Sequence, residues 1–178
     1  TALVTLKSFN RGGGYRLDGL KEFTGTFSRE QEVFAGDLIV AYTDVTQAAD
    51  VIGKPALIVS DSRYQHLVIS LDVAVIRPRR PTYRTFLYGL MSNEAFQQHT
   101  RAHTTGTTVL HLAAGAVPGF SFPWPSERLV EAYSALARPI YELIDSRVGE
   151  TRSLGSTRDT LLPQLLAGEL RVPIEGGA

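Results

Sequence analysis

The chain has 178 residues, 43% of them hydrophobic, which suits one packed α/β domain with a helical appendage and leaves little room for two full domains. It contains no cysteine, which removes disulfides, thiol nucleophiles and thiolate metal sites, and no run of about 18 apolar residues that would span a membrane. A net charge of zero argues against a uniformly basic nucleic-acid binder, yet residues 61–105 hold six Lys and Arg against three Asp and Glu.

The start, Thr1-Ala2-Leu3-Val4-Thr5-Leu6, lacks the basic-then-apolar layout of a signal peptide, so a cytoplasmic protein is expected. Leu3 to Lys7 predicts a strand that begins abruptly, as if inside a domain whose first strands are missing. Arg11-Gly12-Gly13-Gly14-Tyr15-Arg16 predicts a flexible basic loop or surface linker. It has neither the Gly-Lys-Ser/Thr of a P-loop nor the glycine spacing of a dinucleotide fingerprint. Leu38 to Tyr42 is a continuous apolar run, the mark of a buried strand, and strands follow at Ala56–Val59, about 66–69 and about 72–77. Arg77-Pro78-Arg79-Arg80-Pro81 cannot continue a central strand. Five strands separated by turn residues predict a mostly antiparallel or mixed sheet.

Apolar spacing then changes period. Tyr83, Phe86, Leu87, Leu90 and Met91 recur on one helical face, and Ser92 is placed to cap a second helix carrying His99 and His103. Val109 to Ala113 is short and apolar, and Pro118 to Pro125 carries the chain in extended form to a long helical section. There Leu129, Tyr133, Leu136, Ile140 and Leu143 alternate at spacings of four and three, and Leu154, Leu161 and Leu165 resume the stripe. Pro139 predicts a short helix before it and a long one after it, with Pro163 and Gly168 ending the stripe. A helix from about Ile140 to Leu162 would span about 35 Å at 1.5 Å per residue, so the stripe asks for a partner helix; a core helix folded back on its own domain is the plainer alternative.

Several blocks in this order resemble one target-recognition domain, with its following helix, of the DNA specificity subunit of type I restriction-modification systems. They are Gly36-Asp37-Leu38-Ile39-Val40-Ala41 with Asp44, Ile52-Gly53-Lys54-Pro55-Ala56-Leu57, Phe86-Leu87 with Ser92, and Gly106-Thr107-Thr108-Val109-Leu110-His111-Leu112. Phe122-Pro123-Trp124-Pro125 follows, and the run from Arg158-Asp159-Thr160-Leu161-Leu162-Pro163 to Leu170 is the most specific block. The likeness covers about residues 36–172. It implies a mixed α/β recognition domain over 1–125, a helical dimerisation and spacer region over 126–170 in the form of a long coiled-coil helix, and a tail over 171–178. It also implies that the domain contacts one half of a bipartite double-stranded DNA site, and that the helix pairs antiparallel with an equivalent helix. The implied partners are modification (methyltransferase) subunits and a restriction subunit. S-adenosylmethionine, Mg and ATP would then belong to those partners, with no cofactor on this chain. Family subunits carry two such domains and two such helices, so this chain corresponds to a half-length subunit that forms a homodimer or to part of a longer one.

Residue chemistry fits a reader without catalysis of its own. No Asp/Asn-Pro-Pro-aromatic tetrapeptide, which methyltransferases of this kind use, occurs, nor does a Gly-x-Ser-x-Gly elbow. His99 and His103 have an i, i+4 spacing without the Glu of H-E-x-x-H or a third ligand, so a metal is not expected. Forked side chains suit base edges, which makes Arg11, Arg16, Gln47, Arg63, Tyr64 and Arg80 candidate base readers. Lys54, Arg79, Arg84, Arg101, Thr105 and Thr107 are candidate phosphate contacts. Leu129, Tyr133, Leu136, Ile140, Leu143, Leu154, Leu161 and Leu165 are the helix-pairing candidates. Two other classes stay open: a non-catalytic coiled-coil adaptor or RNA-binding module, and a small hydrolase using Asp37, Asp44 or Asp61 with a histidine.

Overall fold

A computed structural model describes residues 1–46 and 48–170. In chain order it contains β1 (Ala2–Val4), β2 (Lys21–Glu22), β3 (Glu32–Val33), β4 (Leu38–Ala41), β5 (Thr43–Asp44), β6 (Pro55–Leu57), β7 (Leu67–Ile69) and β8 (Val73–Ile76). Helices α1 (Tyr83–Ser92) and α2 (Glu94–Ala102), strands β9 (Thr104–Thr105) and β10 (Leu110–Leu112), and helix α3 (Glu127–Leu166) follow. The protein is therefore mixed α/β, with small sheets and a long C-terminal helix. It divides into two units, Thr1–Ile140 and one beginning at Tyr141. The expected tail at 171–178 and candidate Gln47 lie outside the described residues.

In the first unit β4 organises the core. Its four apolar residues are all buried, and it pairs antiparallel with β6 on one side and β8 on the other. Successive side chains on a strand face opposite ways. Ile39 and Ala41 accordingly enter a cluster with Ala2, Val4, Phe9, Val33 and Ile58, while Leu38 and Val40 meet Met91 and Phe96 of the helices. A second sheet runs β2-β1-β7-β3, where β1 and β7 are parallel and the other pairs antiparallel. The third, β5-β10-β9, is antiparallel throughout.

Several local expectations are corrected. The first strand ends at Val4, because Thr5 caps a turn of 3-10 helix over Leu6–Ser8 through a capping box with Ser8. The glycine run is a pinned turn, not a loose linker. Gly13 and Gly14 adopt φ of 95° and 89°, the Gly14 amide donates to the Pro55 carbonyl at 3.0 Å, and Phe9 bridges Tyr15. The cap of α2 is Asn93, whose side chain accepts from the Ala95 amide at 2.8 Å; Ser92 Oγ donates back to the Tyr88 carbonyl instead. Gly53 is the position where α2 meets the β4–β6 connection, since a Cβ there would lie 2.4 Å from Thr100 Oγ1. Gln97 closes the same contact by donating to the Gly53 and Met91 carbonyls.

Pro139 does not divide α3, which is continuous from Glu127 to Leu166. Proline removes the bond to the carbonyl four residues back. That carbonyl belongs to Ala135, an exposed residue, where water can replace the bond. Val130, Ser134 and Ala137, at i, i+4 and i+7, form the buried face of the first turns. Ser134 Oγ donates to the Thr82 carbonyl, and Glu127 accepts from Arg80 and the Tyr83 hydroxyl. Tyr133, one of the stripe residues, lies edge-on to Phe86 of α1 at 5.9 Å. The aromatic segment ahead of α3 packs alongside, with Trp124 edge-on to Tyr83 and Phe86. For these turns, packing onto the parent domain holds for one face only. Leu129, Leu136 and Ile140 remain more than half exposed.

In the second unit Leu143 and Leu154 are also more than half exposed, and Leu161 and Leu165 are exposed to about 39% and 38%. Helix α3 runs through Pro163 and ends at a left-handed Gly168, φ 73°. The Glu169 amide donates to the Gln164 carbonyl and the Gly168 amide to that of Leu165, the paired bonds of a Schellman cap.

Candidate nucleic-acid interface

Three loops of the first unit converge beside the larger core cluster. They are the Arg11–Arg16 turn, the loop after β5, and the Asp61–Gln65 loop between β6 and β7. Arg11 reaches Asp50 at 3.5 Å, Gly14 is tied to Pro55, and Tyr15 and Tyr64 pack on one cluster with Val51. The candidates Arg11, Arg16, Arg63 and Tyr64 thus belong to one neighbourhood.

Asp44 holds the middle loop. Its carboxylate is fully buried and accepts from the Thr46 amide and hydroxyl and from the amides of Val51 and Ile52, at 2.7 to 3.2 Å. Burial alone would push its pKa up, but these four donors outweigh that and hold it below the ordinary carboxylate value. Asp37 caps a turn by accepting from the Phe34 amide and pairs with Arg84 at 3.2 Å, while Asp61 pairs with Arg63 at 2.9 Å. The three aspartates considered for hydrolysis therefore serve loop geometry.

The expected cations are mostly matched by acids of the same chain. Arg16 pairs with Asp18, Arg63 with Asp61, Arg80 with Glu127, and Arg101 with Glu94 at 3.0 Å. Arg84 is the most committed. Its guanidinium donates to the Gly36 carbonyl at 3.1 Å, and its Nε is buried without a partner among the described residues, so it fastens α1 to the turn before β4. Arg80 also lies over the Tyr83 ring at 5.7 Å. Lys54 is half-buried beside α2; burial first, then the charge of Arg101, lowers its pKa, and Glu94 offsets part of this. Arg79, Thr105 and Thr107 are exposed. Arg79, Arg80 and Arg84 cluster at the start of α1, apart in sequence from the three-loop neighbourhood, with Arg101, Thr105 and Thr107 on α2 and the β9 turn.

Sequence reasoning missed the pairing of these cations with acids, namely Asp18, Asp37, Asp50, Asp61, Glu94 and Glu127. Two carried a legible signal, lying two residues from Arg16 and Arg63 respectively. The 47-residue separation of Arg80 and Glu127 carried none.

The rings of His99 and His103 lie 4.2 Å apart between centroids, tilted by 34°. Each spends one ring nitrogen on a carbonyl, His99 Nε2 on Ala116 and His103 Nδ1 on His99, both at 2.8 Å. Among the described residues no group of three or more His, Cys, Asp or Glu side chains is arranged to hold a metal ion. An open apolar groove of about 370 Å³ lies between β8, α1 and the aromatic segment; Arg77, in its lining, is bonded to the carbonyls of Glu30 and Glu32. No described helix is long and apolar enough to cross a membrane. No protein-family model matches the chain, and a search of curated proteins returns no significant match.

Proposed function

We propose that the chain is the DNA-recognition part of a type I restriction-modification specificity subunit, reading one half of a bipartite site and docking methyltransferase and restriction subunits. The observation that carries this reading is the exposed apolar stripe of α3. Leu129, Leu136, Ile140, Leu143 and Leu154 stand in water although their residue types favour burial, and exposed apolar surface at helical spacing marks an association site. Beside it stand the ordered sequence blocks and the convergence of three polar loops.

Charge within the stripe supports an antiparallel partner. Arg147 and Glu150, which pair with each other, occupy the stripe between Leu143 and Leu154. A parallel identical helix would set Arg147 against Arg147 and Glu150 against Glu150. An antiparallel one sets Arg147 against Glu150 twice and Leu143 against Leu154. Coiled-coil pairing, the methyltransferase and restriction partners, and their S-adenosylmethionine, Mg and ATP all belong to this proposal.

A second reading, the non-catalytic coiled-coil adaptor, is favoured by one observation, the pairing of most candidate arginines with internal acids. A gel shift with random-sequence duplex at low and high salt separates the two. The DNA-recognition reading expects binding that weakens steeply with salt, because phosphate contacts release counterions. Absence of salt-sensitive duplex binding leaves the adaptor. If Lys54, Arg79 and Arg101 touch phosphates, each change to Ala flattens the salt slope by about one unit.

A further inference from the structure

Among the arginines of the three-loop neighbourhood, Arg63 is held differently from the rest. Its Nε and one Nη2 hydrogen donate to the two carboxylate oxygens of Asp61, at 3.2 and 2.9 Å, and its own backbone amide donates to Asp61 Oδ1 at 3.0 Å. The Asp61 side chain is 0% exposed while that of Arg63 is 50% exposed, so a buried anchor carries an accessible head. The guanidinium also lies over the ring of Tyr64, 5.1 Å from its centroid, and Tyr64 rests on the main core cluster. Carboxylate and ring together fix both the plane and the direction of the fork, which a solvated arginine would have to give up rotamer freedom to reach. By contrast Arg11 is 84% exposed and reaches its acid only at 3.5 Å.

What remains to donate is the far end of the fork, the two Nη1 hydrogens and the second Nη2 hydrogen. Two parallel donors of that spacing match two acceptors on one base edge. In the major groove guanine offers such a pair, N7 and O6; adenine sets a donor beside N7, cytosine presents a donor, and thymine a single oxygen with a methyl group.

We infer that Arg63 is a guanine reader and that Asp61 is its positioning residue; the inference rests on the reading of the chain as a DNA-recognition subunit. It names the base that one position of the recognised half-site contains. Arg16, also bonded to an acid, lacks this arrangement, because Asp18 is itself exposed and holds no buried anchor.

The experiment is binding-site selection by the full chain from a pool of random-sequence duplex, run side by side with Arg63→Ala, Arg63→Lys and Asp61→Asn. The wild type enriches a motif containing at least one guanine, at which Arg63→Ala loses about 10- to 100-fold of its preference while other positions keep theirs. Arg63→Lys keeps the charge and the salt slope but weakens the same preference, because a lysine ammonium can still reach guanine yet has no planar fork for Asp61 and the Tyr64 ring to hold. Asp61→Asn weakens preference at that one position, with circular dichroism confirming that the variant is folded. An unchanged motif in Arg63→Ala or Arg63→Lys overturns the inference and leaves the DNA reading standing. A wild type that enriches no motif overturns both. If Asp61→Asn fails to fold, Arg63→Lys, which leaves the buried carboxylate in place, decides the matter.

Discussion

Replacing Gly89 by Ala sets two effects of similar size against each other. In an open helix interior the change stabilises by about 0.5–1 kcal/mol, because alanine loses less backbone freedom on folding. Gly89 lies inside α1, and a Cβ there would meet Tyr133 Oη at 2.1 Å and Cζ at 2.8 Å. Those separations are far inside van der Waals contact, and overpacking of that kind costs about 1–3 kcal/mol. Moving Tyr133 aside would also forfeit part of its edge-on contact with Phe86, worth about 0.5–1.5 kcal/mol. The phenol is the flexible end of its side chain and is partly exposed, which places the net outcome near the low end: Gly89→Ala destabilises by about 1–2 kcal/mol. Gly149 and Gly155 of α3 face open space, with nothing within 4 Å of where a Cβ would lie, so the same substitution there stabilises by up to about 1 kcal/mol each. Urea unfolding followed by circular dichroism measures all three, and repeating Gly89→Ala on a Tyr133→Ala background isolates the contact. Removing the phenol should turn the sign of Gly89→Ala to neutral or favourable. If Gly89→Ala stabilises the wild type as much as Gly149→Ala does, the docking of the first turns of α3 on α1 is refuted.

Asp44→Asn should cost about 1–3 kcal/mol, since one of its oxygens becomes an NH₂ facing amides or a hydroxyl that already donate. Because the folded pKa of Asp44 is depressed, its contribution is present above the unfolded value of about 4 and is lost as pH falls through the folded value. Urea midpoints measured from neutral to acid pH should therefore fall less steeply in Asp44→Asn than in the wild type, and equal slopes would count against the carboxylate. Tyr15→Phe should be neutral or stabilise by about 1 kcal/mol, as the Tyr15 hydroxyl is buried without a partner among the described residues. Burial first, and then the charge of Asp61, raise the Tyr15 pKa, so the folded protein keeps this phenol neutral above about pH 10, where the unfolded chain ionises, and stability falls as pH rises beyond that; the phenylalanine variant should lack this alkaline decline. A Tyr15→Phe variant weakened by more than about 1 kcal/mol would reveal a partner for the hydroxyl.

The elements legible in the sequence were those whose own side chains dictate their burial. Leu38 to Ala41 reads as a strand because every residue is apolar and the core receives both faces. Helix α1 reads from its spacing, and β6, β7, β8 and β10 fall within or close to the apolar runs that announced them. Strands β2, β3, β5 and β9 are two residues long, too short for a period, and exist because a neighbour offers hydrogen bonds. The parallel pairing of β1 with β7 depends on chain crossing and leaves no local trace. Pro139 misled because its helix-breaking tendency is a local cost, whereas Val130, Ser134 and Ala137 dock through one face of the helix and exposed Ala135, whose carbonyl loses its bond, meets water on another. For the candidate interface the residue types were legible and their company was not. Arg80 and Arg84 read as free cations until folding brings Glu127 and Asp37 beside them.

Trp124 is the chain's only tryptophan, and it stands at the junction where α3 begins, half in water and edge-on to two rings of α1. The molecule thus carries a single intrinsic fluorophore where its long helix begins. Emission excited selectively at the indole reports a single site, and its wavelength shifts red if the rings of Tyr83 and Phe86 part from it. With no native thiol to compete, a dye on a cysteine introduced in place of exposed Ser156, off the apolar stripe, would supply an energy-transfer acceptor on the far part of the helix. The state of this junction and the reach of the helix beyond it can then be followed as two separate optical signals in one sample.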